Sequence, residues 1–218
     1  MIKQLAIITA LSASIALTGC ESTYYDAMES VAGIHKRDIL IDRVSDTRDA
    51  QKDSQEQFKS ALEQLSALID FDGGQLQQVY EAMQDEYDRS VSAAERVSSR
   101  IKKVESVANA LFDEWREELE QYSNANMRKD SERKLNQTER KFAKLLRAMH
   151  QAERKMTPVL TALKDNTLYL KHNLNAQAVG TIKGEYNRIK ADVNALIKDM
   201  NTAIAESDTF IAQMEKNN

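Results

Sequence analysis

The chain has 218 residues, with 30 lysines and arginines against 34 aspartates and glutamates and a net charge of −4 at pH 7. This mildly acidic balance argues against a dedicated nucleic-acid-binding protein, because such proteins usually carry a strongly basic domain. The chain has a single cysteine, Cys20, which excludes an internal disulfide framework.

Residues 1–19 have the pattern of a cleaved signal peptide: Lys3 precedes an apolar run over residues 5–16. This run is about 12 residues long, whereas a membrane-spanning helix needs about 20. The residues that follow, Leu17-Thr18-Gly19-Cys20, resemble the lipobox of bacterial lipoproteins. The alternative is an ordinary secretory signal followed by an unrelated cysteine. Because Cys20 has no internal disulfide partner, we expect it to be lipidated, with residues 20–23 as a short tether.

The residue after the cysteine bears on the membrane that the chain reaches. In Gram-negative sorting an aspartate there favours retention in the inner membrane, and this chain has Glu21 instead. By that analogy we expect delivery to the outer membrane, with the body facing the periplasm. The inner membrane is the less favoured address.

The rest of the chain, residues 24–218, is predicted to be one helical domain. Glycine and proline are rare, and turn signals fall only near residues 70–74, 123–126 and 173–180. These signals divide the domain into four helices at about 24–70, 75–123, 127–173 and 177–216.

Apolar residues repeat every seven positions in the last three of these segments, which is typical of long packed helices. The repeats run through Tyr80, Tyr87, Ala94, Ile101, Ala108, Trp115 and Tyr122; through Leu135, Phe142, Met149, Met156, Leu163 and Leu170; and through Val179, Tyr186, Val193 and Met200. Further apolar residues widen each stripe, as a bundle requires. The sequence therefore predicts an all-α fold, an elongated antiparallel up-down-up-down four-helix bundle with helices of about 45 residues.

Two features interrupt this pattern. In the first segment, Thr47, Gln51 and Ser54 occupy predicted core positions, so we expect a polar, loosely packed waist there. Pro158 lies inside the third segment, where the seven-residue phase continues across it. The sequence leaves open whether Pro158 kinks this helix or whether Thr157 caps a new one.

No pattern of catalytic, metal-binding or cofactor-binding residues stands out. The chain has no phosphate-binding loop, no Gly-x-Ser-x-Gly elbow and no Glu-x-x-His motif. His150 and Glu153 lie three residues apart, but two candidate ligands without a further one do not indicate a metal site. The stretch from Asp70 to Gly74 has two carboxylates, but a plain turn between helices explains it better than a calcium loop. We predict a protein that is not an enzyme and that holds no metal or cofactor.

In the predicted bundle, the turn near Asn124 returns to the end that the lipidated cysteine tethers. The predicted membrane-proximal contacts are Tyr24, Tyr25, Arg128, Lys129, Arg133 and Lys134. The opposite tip would project about 65 Å into the periplasm. Its predicted partner-binding residues are Asp70, Phe71, Asp72 and Asn175.

With its Leu17-Thr18-Gly19-Cys20 motif and helical body, the chain resembles an uncharacterised family of proteobacterial lipoproteins with an all-helical, coiled-coil-like body. The resemblance implies a non-enzymatic lipoprotein, which acts as a scaffold, spacer or accessory subunit for an envelope protein. The alternative is a carrier that binds lipid or another apolar ligand inside the bundle. The sequence leaves homo-oligomerisation open and gives no sign of a nucleic-acid partner.

Overall fold

A computed structural model describes residues 25, 28, 33–71 and 75–216. These residues form an all-α structure without strands, in which four long helices follow one another. They are α1 (Lys36–Ile69), α2 (Leu76–Leu119), α3 (Ala125–His172) and α4 (Ala176–Lys216). None of the helices in this part of the chain combines the length and the apolar character that crossing a bilayer requires.

The four helices pack as a ring. Each helix contacts the helices before and after it in sequence, and α4 also packs against α1. Three phenylalanine rings join three of the helices. The centroid of the Phe142 ring on α3 lies 5.5 Å from that of Phe112 on α2 and 6.0 Å from that of Phe210 on α4. A single continuous hydrophobic core therefore runs between the helices.

The residues inside this core are largely those that the apolar repeats predicted. The predicted core residues of α3 that are fully or almost fully buried are Leu135, Phe142, Met149, Met156, Leu163 and Leu170. The repeat is less well buried towards the two ends of α2: Tyr80 is half-buried, and Tyr122, three residues beyond the end of the helix, is 39% exposed. Burying the apolar stripe of each helix is the main stabilising force of such a fold.

The polar residues in the middle of α1 also face the core. Thr47, Gln51 and Ser54 have no solvent exposure. The Thr47 hydroxyl donates to the Arg43 carbonyl one turn earlier, and the Ser54 hydroxyl lies 4.0 Å from the Met156 sulfur. The predicted waist is thus fully covered by its neighbours.

The first predicted helix, at about residues 24–70, is not continuous. Tyr25 and Met28 have helical backbone, residues 33–35 are non-helical, and α1 begins at Lys36. Gly33 has a φ of 65°, a conformation that glycine adopts without the strain that a Cβ would bring. This glycine separates α1 from the helical backbone at Tyr25 and Met28.

The boundary between α2 and α3 also differs from the prediction, which ended one helix at about 123 and began the next at about 127. Helix α2 ends at Leu119, although Tyr122 continues the apolar spacing. Helix α3 begins at Ala125 because the Asn124 side chain accepts hydrogen bonds from the backbone N–H groups of Asn126 and Met127.

Helix α3 continues through Pro158 from Ala125 to His172, so the proline does not divide it into two helices. Near this point the Thr161 hydroxyl donates to the Thr157 carbonyl at 3.0 Å. Thr157 therefore lies inside α3 and does not begin a new helix.

Candidate functional sites

One end of the ring brings together the start of α1, the turn between α2 and α3, and the end of α4. Lys36 is 3% exposed and its Nζ lies 2.7 Å from Glu114 Oε1 near the end of α2. The Arg37 guanidinium donates to the carbonyl of Met214 near the end of α4. We call this end of the ring the α1-start end.

The basic residues predicted to contact the membrane lie at the α1-start end and are exposed. Their charge is partly offset by neighbouring acids. Arg128 binds Glu120 at 2.6 Å, while Arg133 and Lys134 both bind Asp130. Arg133 and Lys134 also hold the pKa of the Asp130 carboxyl below its usual range, which keeps this acid charged beside them. The end is therefore less basic than these three residues and Lys129 suggest.

The predicted aromatic contacts with the membrane surface have a different outcome. Tyr24 and the lipobox residues Leu17, Thr18, Gly19 and Cys20 lie outside the described residues. Tyr25 is only 6% exposed and belongs to the hydrophobic core, with its hydroxyl 3.2 Å from the hydroxyl of Ser106 on α2. Tyr25 thus packs on the bundle, whereas the sequence predicted an aromatic side chain in the interfacial layer.

The opposite end holds the turn between α3 and α4 and the end of α1, and we call it the tip. Of the residues predicted there, Asp70 and Asn175 are exposed and Phe71 packs partly buried against the core. Asp72 lies outside the described residues. The Asn175 side chain accepts from the Ala178 backbone N–H at 3.1 Å, so it also caps the start of α4.

Large exposed hydrophobic side chains among the described residues are found only near the two ends of the ring. At the α1-start end they are Ile34, Tyr122 and Met127; near the tip they are Leu168, Tyr169 and Leu174. The sequence interpretation did not single out the three at the tip. Leu168 and Tyr169 directly precede the buried Leu170 and lie outside the apolar repeat. This position in the sequence is the signal that indicates their exposure.

A groove of about 630 Å³ opens at the α1-start end between α2 and α3. Leu111, Trp115, Met127 and Met214 give it apolar walls. The Trp115 indole N–H donates to the Ser131 hydroxyl at 2.8 Å, and this hydrogen bond joins α2 and α3 across the groove. The groove lies at the surface and not in the bundle interior, where a carrier would hold its ligand.

The buried waist contains one side chain whose polar atoms lack protein partners. Both amide atoms of Gln51 are buried without a hydrogen-bond partner in the protein. The next glutamine, Gln55, is satisfied: its amide donates to the Ile197 carbonyl at 3.2 Å and to Asn201 Oδ1 at 2.9 Å. Gln51 is therefore the least favourable polar group in the core.

His150 on α3 lies between two carboxylates. Its Nδ1 is 2.9 Å from Glu153 on the same helix, and its Nε2 is 2.6 Å from Glu105 on α2. Burial lowers the pKa of His150, but the hydrogen bonds to Glu153 and Glu105 outweigh burial and raise the pKa above its usual value. Burial raises the pKa of Glu153, while hydrogen bonds from Ser98 and His150 bring it below its usual value. This cluster is an ionic connection between α2 and α3.

The described residues include no group of three or more histidine, cysteine, aspartate or glutamate side chains that could hold a metal ion. They also give no positive sign of catalytic activity: both ring nitrogens of His150 bond to carboxylates, so neither is placed to activate the hydroxyl of Ser98, which bonds to Glu153.

The geometry thus defines an all-helical protein of four long helices, and the large exposed apolar side chains in the described part of the chain lie near the ends of the ring. Residues 24–214 match the model of a family described as a protein of unknown function (DUF2959), and the chain belongs to that family. No curated protein and no solved structure matches the chain significantly.

Proposed function

We propose that this protein is a non-enzymatic lipoprotein of the bacterial cell envelope, which acts as a helical scaffold or spacer facing the periplasm. One observation carries the proposal: the exposed large hydrophobic side chains lie near the two ends, while the length of the helices between them presents polar surface. Exposed apolar groups clustered in this way mark contact sites with other molecules.

The spacer role requires the helices to run antiparallel, up-down-up-down, so that the chain returns to its starting end. Contacts between neighbouring helices support this arrangement. Arg48 binds Asp208, while Gln55, one heptad later on α1, binds the earlier Asn201 on α4. The contacts between α3 and α4 follow the same antiparallel order: Lys144 binds Glu206, and the later Gln151 binds the earlier Asp199. Helix α2, with 44 residues, would then span about 66 Å.

The tip is the surface that we propose for a protein partner. Leu168, Tyr169 and Leu174 present exposed apolar groups there, beside Asp70 and Asn175. A tyrosine among aliphatic groups, with polar residues at the rim, is typical of small protein interfaces. The partner would be another envelope protein, and a second copy of this chain is the other occupant to test.

Photocrosslinking in intact cells tests the tip. A photoreactive amino acid at Leu174 or Asn175 should capture one partner, and the same amino acid at Asn194, exposed in the middle of α4, should not. Tyr169→Glu should abolish capture from Leu174. Equal capture from Asn194, or capture unaffected by Tyr169→Glu, would contradict a partner site at the tip.

The membrane attachment in this proposal rests on Cys20, with the outer membrane as the address and the inner membrane as the less favoured one. Arg128, Lys129, Arg133 and Lys134 would add a weak attraction to anionic lipid, since Glu120 and Asp130 offset much of their charge. Neutralising all four should therefore change vesicle binding only slightly.

The second candidate function is a carrier of lipid or another apolar ligand within the bundle. The observation that favours it is Gln51, whose unpartnered amide makes the centre of the core the easiest part to open. Mass spectrometry of lipid that co-purifies with the protein tests this function. A stoichiometric lipid that is lost from a Gln51→Leu variant would support the carrier over the scaffold.

A further inference from the structure

A basic groove lies on the side of the bundle, between α1 and α2. Among the described residues that line it are four cationic side chains and one carboxylate: Arg43, Arg96, Arg100, Lys103 and Asp46. Its volume is about 360 Å³. Asp46 is shared by two of the cations, at 2.9 Å from Arg100 and 3.5 Å from Arg43. The groove therefore keeps an excess of positive charge that one acid does not neutralise.

The chain before α1 leads towards this groove. Lys36 binds Glu114, while Tyr25 lies against Ser106, eight residues earlier on α2. Eight helical residues correspond to about 12 Å along the axis. The chain thus reverses direction between Tyr25 and Lys36, and Tyr25 lies farther from the α1-start end than Lys36 does. Lys103, in the groove, is one helical turn beyond Ser106 in the same direction.

The position of Tyr25 limits where Cys20 can reach. Five residues of fully extended chain span at most about 18 Å. Along α2 from Ser106, which Tyr25 contacts, Lys103 lies about 5 Å away and Arg96, at the far end of the groove, about 15 Å away. The end of α2 at Leu119 is thirteen residues from Ser106 in the opposite direction, about 20 Å along the helix. Even fully extended, at about 18 Å, the tether falls short of that end.

We propose that the α1–α2 side of the bundle, with Arg43, Arg96, Arg100 and Lys103, is the surface that rests on anionic phospholipid head groups. The helices then lie along the membrane and do not stand on the α1-start end, so of the two proposed roles this orientation fits a scaffold at the membrane surface and not a spacer that projects from it. This inference rests on the proposed lipid attachment at Cys20, which brings the groove to the bilayer. Each basic residue near an anionic surface strengthens binding about fivefold. The lining of the groove holds four cations and the single carboxylate of Asp46, whereas two carboxylates bind three of the four cations at the end. Asp49 also acts on Arg100, but it is itself bound by Arg48.

Depth-dependent fluorescence quenching distinguishes the two orientations. The processed, acylated protein is reconstituted in vesicles of zwitterionic and anionic phospholipid that contain a head-group nitroxide lipid. A fluorophore is placed on Ser92→Cys, exposed one heptad before Ser99 of the groove, or on Ser123→Cys, exposed in the turn between α2 and α3. We expect the Ser92 label to be quenched more strongly. Stronger quenching at Ser123 would overturn the proposal.

Two matched variants then identify the charges that bring the Ser92 label close to the head groups. One carries Arg43→Gln, Arg96→Gln, Arg100→Gln and Lys103→Gln. The other removes the same charge from the end with Arg128→Gln, Lys129→Gln, Arg133→Gln and Lys134→Gln. The groove variant should lose the additional quenching at Ser92 and the end variant should keep it, while circular dichroism confirms that both remain folded. The reverse result would overturn the proposal.

The acylation state separates this inference from the proposed function. Mass spectrometry of the N-terminal peptide shows whether Cys20 carries acyl chains before any vesicle is prepared. A protein without them would refute the lipid anchor itself. An acylated protein whose Ser123 label lies nearer the head groups would leave the anchor intact and refute only the sideways orientation.

Discussion

Replacing Gln51 with leucine should stabilise the protein, although glutamine is the native residue. Gln51 has no solvent exposure, and neither amide atom has a protein partner. A buried donor or acceptor without a partner costs about 1–3 kcal/mol. Leucine is of similar size, removes both polar atoms and adds apolar contacts. We expect Gln51→Leu to raise the free energy of unfolding by about 1–3 kcal/mol, measured by urea denaturation.

Thermal unfolding gives a second readout, with a rise in Tm of about 2–4 °C for each kcal/mol in a protein of this size. The matched control is Gln55→Leu, which removes hydrogen bonds to Asn201 and to the Ile197 carbonyl and should lower stability by about 1–2 kcal/mol. If Gln51→Leu instead lowers stability, a buried water satisfies the Gln51 amide and the reasoning fails.

Three further predictions concern the connections between segments. Because the pKa of His150 is raised in the folded state, its contribution to stability is complete below about pH 6.5 and is lost as the pH rises through the folded pKa. His150→Gln should remove this dependence in unfolding measured from pH 5.5 to 8.5, and an unchanged profile would refute it. Asn124→Ala should cost about 1 kcal/mol in urea denaturation by removing the cap of α3, and Asn124→Gly a few tenths; equal losses would argue against capping. Tyr25→Phe should cost about 1 kcal/mol and Tyr25→Ala about 3 kcal/mol, whereas two unchanged midpoints would show that this residue does not pack on α2.

The sequence predicted the all-α character of the chain because its signal is local. Apolar residues at a helical spacing, with few glycines and one proline, leave little alternative to long helices. Residues such as Met149 and Leu170 were assigned to the core from spacing alone, and both are fully buried. The polar waist could also be predicted, since Thr47, Gln51 and Ser54 occupy positions at which the spacing of their apolar neighbours predicts core residues.

Features that depend on contacts between distant residues could not be predicted in this way. Tyr25 is buried beside Ser106, which is 81 residues away in the sequence, and the spacing of apolar residues does not encode this contact or the positive φ of Gly33. The basic groove joins Arg43 on α1 to Arg96, Arg100 and Lys103 on α2, so it exists only once the two helices pack. By contrast, Arg133 and Lys134 pair with Asp130, three and four residues earlier on α3, and this local spacing was visible in the sequence.

Metabolic labelling with a tagged fatty acid tests the lipid anchor directly. Cells that produce the native chain and cells that produce Cys20→Ser are grown with the label, and the purified proteins are compared by in-gel detection and by N-terminal mass spectrometry. The native protein should begin at Cys20 and carry the label, and Cys20→Ser should carry none. Label retained on Cys20→Ser, or a native protein that begins elsewhere and is unlabelled, would contradict the proposed envelope lipoprotein.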